Sequence, residues 1–245
     1  MLDRLLRLST APAWFFLLLF GVYAATAQYG GTVFNDIHST AHASWSLATR
    51  GTLDLSSVDL PYEQAWTVSV GDAEYSNRFP GVILAGTPFY LLMQPDLPVV
   101  APSALAAALA SALGVTGMLL ALRHMLPMRW AWGAALLLAL GSGVWAVAAD
   151  GLFTHGVTTM WVGAVAAGIA KSGRRQGLVV VGAAMSVLTR PHLSVALGCT
   201  ALVLWRHDRR SALAILSGVA IGSAAFVLYG RVVFGTWSIM GPYKV

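Results

Sequence analysis

The feature that most limits this chain is a series of apolar runs, at about 12–29, 98–122, 128–148, 152–170, 177–190, 191–205 and 211–230. A hydrocarbon core about 30 Å thick is crossed by ~20 apolar residues in a helix. In lipid, only helices and closed barrels satisfy all their own backbone polar groups. The runs therefore predict an all-α polytopic membrane protein with about seven transmembrane helices. Composition agrees: 57% of residues are hydrophobic and only 10% are charged. No internal repeat or soluble linker is visible, so residues 1–245 read as a single transmembrane domain. The first run follows Arg4 and Arg7 in the manner of a signal peptide, but Gln28-Tyr29-Gly30 is a poor cleavage site and further runs follow.

The net charge of +5 is not a nucleic-acid signal, because most basic residues fall in short clusters between apolar runs. Cys199 is the single cysteine, which excludes an intramolecular disulfide. Arg far outnumbers Lys, and Ala and Gly abound. That composition fits a GC-rich bacterial genome and hence a bacterial plasma membrane.

An eighth run, 80–95, is short and carries Pro80, Pro88 and Pro95. Charge decides its role. With a cytoplasmic N-terminus and a non-crossing 80–95, the clusters at 123–129, 171–175 and 206–210 all lie inside. Ten of the fifteen basic residues are then cytoplasmic and eight of the ten acids are extracytoplasmic. If 80–95 crossed, the three internal basic clusters would flip outward. The expectation is a large first extracytoplasmic loop, 30–97, that ends in a non-crossing re-entrant segment. Within Leu188-Thr189-Arg190-Pro191-His192, Pro191 disfavours helix at Arg190. A tight outer turn is expected there, with one long kinked helix as the alternative.

The first loop carries most of the acids. Asn35 or Asp36 is a plausible N-cap for a short helix running to Thr49, ended by Gly51. Ile37, Ala41, Trp45 and Ala48 share a face of it, which predicts an interfacial helix anchored by Trp45. Asp36, at its start, is either a helix cap or a working carboxylate. A working carboxylate there serves as general base on a hydroxyl or as a metal ligand. His38 and His42 are one turn apart and with Asp36 form either a metal site or a plain histidine pair. Glu74 is the loop acid placed best to act beside Arg78. The remaining loop acids, Asp54, Asp59, Glu63 and Asp72, read as solvated.

Three stretches resemble the GT-C glycosyltransferase superfamily, in order along the chain. The first is Asp36…His38…Ser46-Leu47-Ala48…Arg50-Gly51-Thr52-Leu53-Asp54-Leu55. The second is Tyr75-Ser76-Asn77-Arg78-Phe79-Pro80-Gly81 with Pro88-Phe89-Tyr90. The third is Leu188-Thr189-Arg190-Pro191. The resemblance implies a membrane enzyme that transfers a sugar from a polyprenyl-phosphate donor to an acceptor on the extracytoplasmic side, with inversion at the anomeric carbon. It implies Asp36 as the catalytic acid. A second acid in the next outer loop falls on Asp150, also a candidate N-cap. Arg78 and Arg190 stand where the donor phosphate is bound, and guanidinium groups suit that task; their alternative role is snorkelling to headgroups. His155 and His192 are further substrate-binding candidates. Asp36 and Asp150 are the candidates for a divalent metal. Family members are generally longer, so the chain reads as a short core-like member, truncated or dependent on a partner. The rival class is a non-catalytic lipid-binding subunit or a small transporter, although transporters usually carry ionisable sites near mid-membrane.

Overall fold

The computed structural model of the chain describes residues 10–30, 35–58, 66–170 and 175–237. Arg4, Arg7, Phe34, Asp59, Glu63, Lys171, Arg174, Tyr243 and Lys244 lie outside the described residues. The order is α1 (Ala11–Thr26), α2 (Asn35–Arg50), β1 (Thr67–Val70), β2 (Ala73–Ser76), α3 (Pro80–Met93), α4 (Ala101–Met125), α5 (Met128–Leu140), a π-helical turn (Val144–Ala148), α6 (Thr154–Ala170), α7 (Gln176–Thr189), α8 (Leu193–Leu204) and α9 (Arg209–Phe234). Two of these, α4 and α9, are long and apolar enough to cross a membrane. Prolines sit in the first turns of α1, α3 and α4, where a missing N–H leaves no intrahelical bond unmade.

Helix directions alternate along the chain. A Cβ on Gly114 would lie 2.5 Å from the Thr159 carbonyl carbon, and one on Gly117 would lie 2.6 Å from the Gly163 carbonyl oxygen. The contacts advance together along both helices, so α4 and α6 run parallel. Gly218 and Gly222 likewise place α9 parallel to α7, whereas Gly182 against Trp161 and Val165 sets α7 antiparallel to α6. Absent side chains let these backbones approach, as in helix packing within membranes. The Tyr23 hydroxyl donates to Ala139 at 2.9 Å, and the Gln28 amide donates to Asp150 at 3.1 Å. The ends of α1, α5 and α7 thus share one end of the bundle with the starts of α4 and α6. Many apolar side chains face outward: Leu92, Met125, Leu137, Val195, Leu202, Val203 and Val232 are between 69% and 83% exposed.

That same end carries α2, α3 and the hairpin. Gly81 of α3 abuts Thr189, Gly86 abuts Ser44 and Leu152, and the Tyr90 hydroxyl donates to Val99 at 2.7 Å. The helix packs against the first turns of α4 and α6 and the end of α7. The expected helix of the first loop is present as α2 and ends at Gly51, whose φ is +69°. It is more enclosed than an interfacial helix should be. Ile37 and Ala41 are buried on one side, and Ser39, His42, Ser44 and Ser46 are buried as well. The hairpin and α3 cover what sequence periodicity assigns to solvent. Trp45 donates its indole N–H to the Pro95 carbonyl at 2.9 Å.

The run 128–148 is not one helix. It breaks at Gly141-Ser142-Gly143 and resumes as a π-helical turn in which the Ala149 amide reaches back to the Val144 carbonyl at 2.9 Å. Two glycines weaken the helix, and the Ser142 hydroxyl bonds back to Leu138 at 2.5 Å and accepts from the Val144 amide at 3.2 Å. At Arg190 the backbone is extended, and Pro191 and His192 form a turn before α8. The tight turn is therefore found, and the single kinked helix is not.

Candidate active site

Asp36 lies in the first turn of α2. Its Oδ1 is 2.6 Å from Nη2 of Arg78, which follows β2; the Arg78 side chain is 13% exposed and that of Asp36 is 35% exposed. The Arg78 guanidinium also stacks on the Trp66 ring, 4.5 Å from its centroid. Trp66 thus packs against the cation of the site.

Arg190 lies on the next wall. Its Nε and Nη2 both donate to Thr154 Oγ1, at 3.1 and 2.7 Å. Nη2 also lies 3.0 and 3.2 Å from the two ring nitrogens of His155. Close packing sets this group beside the Asp36–Arg78 pair. Two close approaches fix this arrangement. Gly81, just after Arg78, leaves no room for a side chain against Thr189, just before Arg190. Gly151, just after Asp150, leaves none against Ile37, just after Asp36.

A cavity of about 450 Å³ opens beside His155. Ser142, Val144, Val147 and Ala148 from the broken helix line it, together with Thr158. Thr158 Oγ1 is buried with no hydrogen-bond partner among the described residues. The helix break is what makes the space: a π turn beside a ligand-sized cavity is a recurrent functional arrangement.

The other candidates fare unevenly. Asp150 is adjacent through Gly151, and partial burial pushes its carboxyl pKa up. Its carboxylate makes no hydrogen bond or ion pair with another described residue. Glu74 does not act beside Arg78. Its Oε1 takes the Thr67 hydroxyl across the hairpin, and its backbone N–H donates to Asp54 Oδ1 at 3.1 Å. Asp54 is not a solvated loop acid either. The backbone amides of Ser56 and Glu74 hold its carboxyl below the usual carboxylate range, which makes it the staple of the hairpin. His192 is exposed at the turn and makes no side-chain hydrogen bond with the described residues of the cluster.

The His38–His42 pair does not read as a metal centre. His42 Nδ1 contacts the His38 carbonyl at 2.8 Å, and the two rings stack 5.9 Å apart. Burial pushes both imidazoles toward the neutral form. Among the described residues no group of three or more His, Cys, Asp or Glu is suited to hold a metal ion. No second acid or histidine of the described residues joins Asp36 in a group of three, so the donor set around it does not fit a divalent metal.

Thr154 escaped the sequence reading. A threonine opening a helix is too common to single out, and only the fork from Arg190 marks it. Comparison of the chain with protein-family models, curated proteins and solved structures gives no match in any of the three.

Proposed function

We propose that this chain is a GT-C-like membrane glycosyltransferase that uses a polyprenyl-phosphate-linked sugar as donor. The carrying observation is the convergence of three stretches remote in sequence, which brings the Asp36–Arg78 ion pair and the Arg190–Thr154–His155 group to the same end of the bundle. Such a cluster at one end of an otherwise apolar bundle suits chemistry at a membrane surface.

The membrane reading draws on α4 and α9, on the outward apolar side chains, and on seven helices that alternate in direction. The proposed topology has seven spans, with α2, the hairpin and α3 on the extracytoplasmic side of a bacterial plasma membrane. The basic clusters at 123–129 and 206–210 then face the cytoplasm.

In the reaction, an acceptor hydroxyl oxygen attacks the anomeric carbon of the donor sugar. The bond from that carbon to the phosphate oxygen breaks, and polyprenyl phosphate leaves with the bonding pair. Asp36 takes the hydroxyl proton. Arg190, oriented by Thr154, stabilises the negative charge on the departing phosphate, with Arg78 as the second cation. Direct displacement inverts the anomeric configuration. The apolar side of the cavity along Val144, Val147 and Ala148 suits the first isoprene units of the donor.

The test is transfer from a radiolabelled polyprenyl-phosphate sugar by the purified protein, with Asp36→Asn alongside. Transfer that Asp36→Asn abolishes supports the reading. Full activity in that variant removes Asp36 from the mechanism. Binding of the lipid phosphate without transfer to any acceptor supports the rival, a lipid-binding subunit.

A further inference from the structure

Ser39 lies one turn beyond Asp36 on the same helix face and is fully buried. Its hydroxyl donates to the Trp66 carbonyl at 3.0 Å and lies 2.6 Å from the Ser76 hydroxyl. Ser76 is also buried and accepts the Arg78 backbone N–H at 3.2 Å. Each hydroxyl has one proton, which fixes the direction of the chain. Ser39 gives its proton to the Trp66 carbonyl, so Ser76 must give its own to Ser39. The sequence of donors is therefore Arg78 N–H to Ser76, Ser76 to Ser39, and Ser39 to Trp66. The Asn77 N–H closes the neck by donating to the same Trp66 carbonyl at 2.9 Å. Hydrogen bonds linked head to tail in a buried setting polarise one another.

We infer that Ser39 is a positioning residue: it ties both ends of the β1–β2 hairpin to the helix of Asp36, and so holds the Arg78 guanidinium between the Trp66 ring and the Asp36 carboxylate. Trp66 precedes β1 and Arg78 follows β2. Trp66 and Arg78 flank the hairpin neck, and Ser39 is where that neck meets α2. The role in transfer rests on the proposal above for Asp36 and Arg78; the geometric role does not.

Two measurements separate these. Hydrogen–deuterium exchange of the purified chain reads the geometry without any substrate. Ser39→Ala is expected to speed exchange at Asn77 and Arg78 by about tenfold and to leave the amides of α4 unchanged. Ser76→Ala removes the same link from the other side and should give the same pattern, which covers the case in which Ser39→Ala fails to fold. Unchanged exchange at both amides overturns the inference. Binding of a polyprenyl monophosphate in micelles reads the functional role. Ser39→Ala should weaken it about tenfold, and Ser39→Ala with Arg78→Ala should bind no more weakly than Arg78→Ala alone. Full additivity in that cycle means that Ser39 acts on stability only and overturns its positioning role. If the unaltered chain binds no polyprenyl monophosphate, the functional proposal fails while the exchange data still judge Ser39.

Discussion

Oδ1 of Asp36 and Nη2 of Arg78 stand 2.6 Å apart across 42 residues of chain. A bond this short between a carboxylate and a guanidinium joins the two charges that the proposed reaction needs, one to take a proton and one to meet a phosphate. Asp36→Asn preserves the shape and removes the base. Transfer from a polyprenyl-phosphate sugar should fall by roughly 10²- to 10⁴-fold, with donor binding changed far less, as read by separate rate and binding assays.

Thr154 offers a narrower test. Its hydroxyl oxygen accepts two donors of Arg190, and valine keeps the volume without the oxygen. Thr154→Val should weaken polyprenyl monophosphate binding by about tenfold and leave thermal stability nearly unchanged. Arg190→Lys should do at least as much harm, because an ammonium cannot reproduce the planar fork.

The histidines of α2 give a pH prediction. Burial lowers the pKa of His38 and His42 below the ordinary 6.5. As pH falls through 6.5, the unfolded chain takes up protons before the folded chain does, so folding stability must drop. The loss ends once pH has passed below the folded values. The thermal midpoint should therefore decline between pH 7.5 and 5.5. His42→Asn, which keeps a polar atom near the His38 carbonyl, should flatten that decline.

Gly163, at the contact of α4 with α6, and Gly133, on the open face of α5, make contrasting predictions. Gly163→Val drives a side chain into the backbone around Gly114 and should destabilise the fold by at least about 1–3 kcal/mol. Gly133→Ala meets nothing within 4 Å and should be neutral or slightly stabilising. Thermal unfolding in detergent compares the two.

Topology can be read with the single cysteine removed. In a Cys199→Ser background, Asp72→Cys on the hairpin and Met125→Cys at the end of α4 should label from opposite sides of the membrane. Labelling of both from one side would sink the proposed orientation.

Much of this arrangement was legible in residue order. Gly51 marks the end of α2, Pro191 marks the break at Arg190, and the proline-bearing 80–95 run marks the short helix α3. Charge counting located Asp36, Asp150 and Arg190 at that end because it depends only on which loops share a side. Finer contacts were not legible. Glu74 stands four residues from Arg78, yet strand alternation and the hairpin turn it toward Thr67. Ser39 and Ser76 are ordinary serines until the fold buries them together. The break at Gly141–Gly143 lies inside an apolar run whose hydropathy alone does not register it.

The short helices around Arg190 bear on the surrounding lipid. α7 has 14 residues and α8 has 12, which at 1.5 Å each extend roughly 21 and 18 Å. In the proposed orientation the bilayer on that flank must thin or the helices must sit low, at a cost that grows with each ångström of mismatch. Lipid thickness then becomes a variable of the protein itself. Shorter-chain lipids should suit it, and a thick bilayer should draw the Arg190 corner below the headgroups it is meant to meet.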